Sequence, residues 1–389
     1  MRDVAVIGIG VTQFGELWDH SFRQVGIQAG LEAVYDANLS GSEIDAMYIG
    51  NMSSGRFIDQ HHIGALIADY SGMASHNVPS TRIEAAGASG SLAFRQGVMA
   101  VASGMHDVVV VGGAEKMTDV SDEASNFILN SAADQQWESM MGATFASLHA
   151  MIARRYIHEG YATREQIASV AVKNHLNGAL NPKAQFQKPI KLDTVLRSPL
   201  VADPLTMFDC SPISDGAAAV VLCPLDKAHE YTDKPVKVLG TGQASDTLAL
   251  YQRPDICSFN ATKVATRMAL ETADLTVKDV DLVEVHDDYT ISELLALEDM
   301  GFFPRGEAGR AVESGETELT GSIPVNTSGG LKARGNPIGA TGVAQIVELV
   351  AQLRGDADKR QVKGAQIGMA HSIGGTGSTA VISLLGGVL

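Results

Sequence analysis

The chain repeats itself, and the repeat limits its fold more than any other feature does. The apolar run Val4 to Gly10 is matched by Val236 to Gly242, and the segment ANLSGSEID (Ala37 to Asp45) is matched position for position by ADLTVKDVD (Ala273 to Asp281). In each half a glycine-rich stretch precedes an apolar-faced helical segment, Leu92 to Ala102 in the first. A continuous apolar run follows, Asp107 to Gly113 in the first half and Ala365 to Ala370 in the second. Runs of that kind read as fully buried strands. Strand, helix, strand, glycine turn, helix and strand, given twice, predict an α/β protein of two similar βαβαβ-type halves packed together. Their glycine turns are then expected to meet at one site.

The rhythm breaks between residue 118 and about residue 203. That region carries Trp137, Met140, Met141, Met151 and the pair Arg154 and Arg155. It then continues with a helix from Thr163 through His175 and a loop from Asn181 to Pro189. It reads as an insertion folded over the core, with its Met and aromatic side chains in a local core; Asp215 to Leu222 returns to a strand. The expected division is residues 1–117 with 204–235 for the first half, 118–203 for an inserted loop domain, and 236–389 for the second half. Chain length is ample for this, at 389 residues with 45% hydrophobic and 19% charged, a composition that excludes general disorder.

A net charge of −16 without any Lys/Arg run argues against nucleic acid or an anionic membrane as the main partner. It leaves room for a small anionic ligand in a local basic pocket. Cys210, Cys223 and Cys257 are the only cysteines. None forms a C-x-x-C pair, so no thiolate metal site is expected, and the sparse count fits a reducing compartment. The G-x-G of Gly8 and Gly10 lacks a third glycine and reads as a turn closing a strand rather than a dinucleotide site. His61 and His62 read as a helix start, because adjacent residues do not face one site. The N-terminal run is too brief for a signal peptide and no apolar run is long enough to span a bilayer, so a soluble cytoplasmic protein is expected.

Four stretches look chemical. Small residues crowd a strand-to-helix junction in Arg82 to Gly90, a place suited to a developing negative charge or an exposed nucleophile. Its only hydroxyl near the turn is Ser89. Glu284 to Thr290 sets His286, Asp287, Asp288 and Tyr289 just past a buried strand, where α/β sheets bind ligands. Strand alternation would turn Tyr289 away from the face of Asp288. Asn326 to Gly342 is too glycine-rich and long for a mere turn, and Lys332 and Arg334 within it could hold phosphates. His371 to Gly377 reads as a third glycine loop carrying one imidazole.

Those motifs together resemble the thiolase superfamily, closest to its sterol-carrier-like and archaeal acetyl-CoA acetyltransferase branch. The similarity covers nearly the whole chain: the start through Gly10, Glu84 to Gly90, Gly112 to Met117, Thr163 to Ala168, Ser211 to Gly216, His286 and Asp287, Gly329 to Gly342 and the C-terminal glycine loop. The resemblance implies a thiolase-like five-layered α/β fold, with the inserted loop domain on the coenzyme A side and helping to bind it. It implies a homodimer or homotetramer acting on acyl-CoA, with coenzyme A as substrate carrier and no tightly bound cofactor or metal. It also implies a small zinc-bearing OB-fold partner, together with an HMG-CoA synthase in some complexes. Ser328, Gly329, Lys332, Arg334, Met151 and Arg154 are the residues this assigns to coenzyme A.

The departures carry as much as the match. The resemblance puts the acyl-accepting Cys where Gly87 stands, a second proton-moving Cys where Asp288 stands, and a His where Asn336 stands. His286 matches as an oxyanion donor and His371 matches the C-terminal-loop His. Thiolysis through an acyl-enzyme needs a nucleophile, and glycine has none. The expected function is therefore enolate-stabilised C–C bond making or breaking, of retro-aldol or decarboxylation type, with catalytic positions His286, Asp288, Asn336, His371 and the Gly87 backbone. The alternatives are an acetyl-CoA C-acetyltransferase homologue, active or inactivated, and a non-catalytic CoA-binding or scaffold subunit.

Overall fold

A computed structural model describes residues 2–387. Met1 and residues 388–389, at the outer ends of the two expected halves, lie outside the described residues. Eleven strands are present among the described residues: β1 Val4–Val11, β2 Ala46–Gly50, β3 Ser80–Ile83, β4 Val109–Glu115, β5 Leu200–Ala202, β6 Leu205–Thr206, β7 Gly216–Pro224, β8 Val236–Ser245, β9 Leu282–Glu284, β10 Ile367–Gly374 and β11 Thr379–Gly387. Nine pair in the order β3-β2-β4-β7-β1-β8-β11-β10-β9, while β5 and β6 form a small separate hairpin.

The predicted repeat is visible in this order. Outward from the centre the first half runs β1, β7, β4, β2, β3, and the second half runs β8, β11, β10, β9. The outermost strand of the second half shrinks to a bridge between Val283 and Val325. The halves join where β1 and β8 pair antiparallel, with Ala5 opposite Lys237. Asn38 and Asp274, equivalent in the two copies, both take left-handed backbone just past a helix, at φ 52° and 55°. Asp45 Oδ2 accepts from the Asp107 and Val108 amides, and Asp281 Oδ2 accepts from those of Gln366 and Ile367, at 2.8–3.0 Å. The same short carboxylate thus ties down the entry to an inner strand in each half, which explains why this segment is the one that repeats in sequence.

Helices Ser89–Ser103 and Ile338–Arg354 lie between the two half-sheets and share one apolar cluster with Val6, Val111, Val220 and Leu385. Helices Phe22–Asp36 and Ile63–Tyr70 cover the outer face of the first half. Asn260–Ala273 and Thr290–Met300 cover that of the second, together with Phe145–His158 and Arg164–Gly178 from the region between β4 and β7. Five layers result. Ser21 starts the first outer helix with a capping box to Gln24, and Thr163 caps the 164–178 helix in the same way with Gln166.

The central helices meet at their N-termini, as the paired glycine turns led one to expect. A Cβ on Gly90 would stand 2.7 Å from the Gly339 carbonyl oxygen, closer than packed atoms approach, so only glycine lets the helices touch there. Ser91 Oγ also donates to Ser372 Oγ at 2.8 Å, joining the first half to β10.

Three expectations change. Gly8 and Gly10 lie within β1 rather than in a turn after it. Trp137, Met140 and Met141 are not a local core: they are 64%, 77% and 71% exposed. His371 is not in a loop either. It sits mid-strand in β10 opposite Ile382, and the turn begins only after Gly374. The described residues include no helix long and apolar enough to cross a membrane.

Candidate active site

The carboxyl end of β9, the N-termini of both central helices and the region between β4 and β7 enclose a cavity of about 620 Å³. Gly87, His286, Asp288, Tyr289, Lys332 and Asn336 all line it, as do Cys210, Ser211 and Ile373. The strand-to-helix junction is an elbow. Between β3 and helix Ser89–Ser103 the backbone of Ala86 is forced to φ 49°, a conformation side chains other than glycine rarely take. Strain of this sort collects at functional turns. Ser89 does not substitute for a nucleophile there: its buried Oγ donates to the Ala86 carbonyl at 2.7 Å and accepts from the Ala85 amide at 2.9 Å.

The space beyond Gly87 is taken. A Cβ at Gly87 would stand 2.5 Å from the Ile373 carbonyl oxygen, 2.7 Å from His286 Cε1 and 2.9 Å from His286 Nε2. The imidazole occupies the place a side chain at the elbow would need. His286 Nδ1 is buried without a partner. An orphaned N–H costs more than an orphaned lone pair, so the proton belongs on Nε2, facing the elbow and cavity. Burial holds the ring neutral by lowering its pKa, against the opposing pull of Asp288. Behind it, His371 Nδ1 accepts from the His286 amide at 3.5 Å, and Nε2 therefore donates to Thr262 Oγ1 at 3.0 Å. His371 is fully buried, and burial pushes its pKa down to about 3. It backs His286 and does not line the cavity.

Asp288 follows β9 and precedes the helix Thr290–Met300, whose N-terminus favours its negative charge. Its Oδ1 accepts from the Tyr289 amide at 2.9 Å and from Ser292 Oγ at 2.8 Å. Its Oδ2 is left to face His149 Nε2 at 3.7 Å. His149 Nδ1 must donate to the Phe145 carbonyl at 3.0 Å, so a neutral ring turns its Nε2 lone pair toward Asp288. Burial lowers the His149 pKa and Asp288 opposes it. Sequence reasoning missed His149. Its one signal was a histidine beside Leu148, Ile152 and Tyr156 on the buried stripe of an otherwise amphipathic helix.

Asn336 is held from both sides. Its Oδ1 accepts from Thr341 Oγ1 at 2.9 Å and its Nδ2 donates to Ser211 Oγ at 3.1 Å, which fixes the amide with its donor end toward the cavity wall. Tyr289 lines the cavity beside Asp288, contrary to the alternation argument, because β9 ends at Glu284 and the residues after it no longer alternate. Its ring stacks on His149 at 4.2 Å, and burial pushes its pKa well above the usual phenol range. Asp287 does not line the cavity; it accepts from the Leu331 and Lys332 amides.

Of the six residues expected to hold coenzyme A, only Lys332 lines this cavity. Ser328 and Arg334 are buried on Glu284: Ser328 Oγ donates to its carboxylate at 2.5 Å, and the Arg334 guanidinium donates to Ser328 Oγ at 3.2 Å and ion-pairs with Glu284 at 3.6 Å. Gly329 is buried against Gly178. Met151 is half-exposed, and Arg154 is exposed and paired with Asp203. The physical reason for the Arg334 placement is the buried Glu284, which draws the guanidinium inward to neutralise it.

A family model for the thiolase N-terminal domain matches residues 4–226, and one described as thiolase C-terminal domain-like matches residues 242–387. The chain therefore belongs to the thiolase superfamily. It is 58% identical to an acetyl-CoA acetyltransferase of Methanothermobacter thermautotrophicus, over 99% of both chains. It is 31% identical to human sterol carrier protein 2, over 99% of this chain and 72% of that one. Among solved structures, Ltp2-ChsH2(DUF35) aldolase superposes with a TM-score of 0.85 at 28% identity, covering 99% of this chain and 98% of that one.

Proposed function

We propose that this chain makes or breaks a C–C bond beside an acyl-CoA thioester by stabilising an enolate, with no acyl group carried on the protein. The observation that carries the reading is the filled space at Gly87, where His286 and the Ile373 carbonyl leave no room for a nucleophilic side chain. In the retro-aldol direction the hydroxyl proton of the substrate passes to Asp288 Oδ2 and the Cα–Cβ bond breaks. Its electron pair becomes the enolate, whose oxygen accepts from His286 Nε2 and Asn336 Nδ2. The stored proton then returns to Cα. Condensation is the same path reversed. The aldolase among the structural neighbours supports this chemistry, and its second named component supports a partner protein for this chain. The same reading carries as proposals a homodimer or homotetramer, a zinc-bearing OB-fold partner, and residues 118–203 as the loop domain on the coenzyme A side.

The relatives named acetyl-CoA acetyltransferase favour a second reading, thiolysis through another nucleophile. Cys210 is the thiol at the cavity, but burial pushes its pKa up to about 12, which keeps it protonated and unreactive. The test is hydrogen exchange at the acyl α-carbon of propionyl-CoA in deuterated buffer, followed by proton NMR. Exchange catalysed by the wild-type chain is expected. Absence of exchange together with sustained acetoacetyl-CoA thiolysis contradicts the proposal.

A further inference from the structure

Lys332 is a buried cation in the cavity wall, and among the described residues no carboxylate pairs with it. It is 3% exposed. The ammonium has three protons to place, and among the described residues its only hydrogen bond goes to the Cys210 carbonyl at 2.6 Å. The Phe186 and Phe208 rings lie 5.6 and 5.5 Å from it. Lys116 and Lys173, buried to a similar degree, face carboxylates at 2.8 and 2.5 Å. The carboxylates that act on Lys332 are committed elsewhere: Asp287 to amides and Asn174, Asp209 to Arg164 and Thr290. Burying a charge without a partner is costly, so the missing anion is expected from a ligand.

We infer that Lys332 binds a carboxylate carried by the acyl part of the substrate, so that the preferred thioesters are dicarboxylic acyl-CoAs of about succinyl size. This rests on the cavity being an acyl-CoA site. The ammonium holds Cys210, and the next residue, Ser211, holds the Asn336 amide. Cys210 and Ser211 are neighbours in the chain, and Lys332, Asn336 and His286 line the same cavity, so the cation and the enolate donors face one ligand space. The groups facing the ammonium are Cys210, Asp209, Asp287 and His175. His175 is neutral at pH 7, its pKa lowered to about 4 by burial, so it adds no competing charge. Burial lowers the Lys332 pKa to about 8, so the ammonium is charged at pH 7 and loses its proton as pH rises past that value.

Titration calorimetry with succinyl-CoA, butyryl-CoA and coenzyme A tests this on the full chain. Succinyl-CoA is expected to bind about tenfold tighter than butyryl-CoA, the size of one charge-assisted hydrogen bond. Lys332→Met should erase that advantage while moving butyryl-CoA and coenzyme A far less. The advantage should also fade above about pH 8 in the wild-type chain, a readout that needs no variant. Equal loss for all three ligands would assign Lys332 to the phosphates and overturn the inference. Equal wild-type affinity for succinyl-CoA and butyryl-CoA would overturn it too. If none of the three binds, the reading of the cavity fails and takes the inference with it.

Discussion

Asp288→Asn is expected to lower α-carbon exchange and turnover by about 10²–10⁴-fold, the usual contribution of a positioned acid–base group. The fold should survive. An asparagine oxygen can still accept from the Tyr289 amide and Ser292 Oγ, and its NH₂ can donate to the His149 lone pair. Unchanged thermal unfolding with lost exchange therefore separates proton transfer from structure. An Asp288→Asn variant that exchanges at the wild-type rate would remove Asp288 from the mechanism.

Gly87→Cys should not create a thiolase. The obstacle is space: the new Cβ meets the Ile373 carbonyl at 2.5 Å and the His286 ring at 2.7 Å. A backbone carbonyl in β10 cannot swing aside as a side-chain tip can. Overpacking of this kind costs about 1–3 kcal/mol. The variant is expected to unfold at lower denaturant, lose exchange activity because His286 is displaced, and gain no acetoacetyl-CoA thiolysis. Restored thiolysis at wild-type stability would show that the elbow had kept room for a nucleophile.

Much of the fold was legible in the sequence because the repeat records paired physical needs. Asp45 and Asp281 recur because each closes the start of an inner strand, and glycines recur where two helix ends touch. The candidate site was legible in part. His286, Asp288, Asn336, Lys332 and Gly87 do converge on one cavity. His149 was not legible, since its role depends on a 3.7 Å approach to Asp288 between segments far apart in the chain and adjacent only in the fold. Arg334 was misread because its partner, Glu284, is found only when the strand end is folded. A basic residue in a glycine-rich stretch looks the same in sequence whether it meets a phosphate or a buried carboxylate.

A chain that works without holding an acyl group must keep its own mass throughout turnover. Intact-protein mass spectrometry after incubation with acetyl-CoA and with acetoacetyl-CoA tests this most directly. The unmodified mass is predicted at every time point, in a sample that still exchanges the α-proton of propionyl-CoA. A covalent acetyl adduct that forms and turns over with free coenzyme A would contradict it.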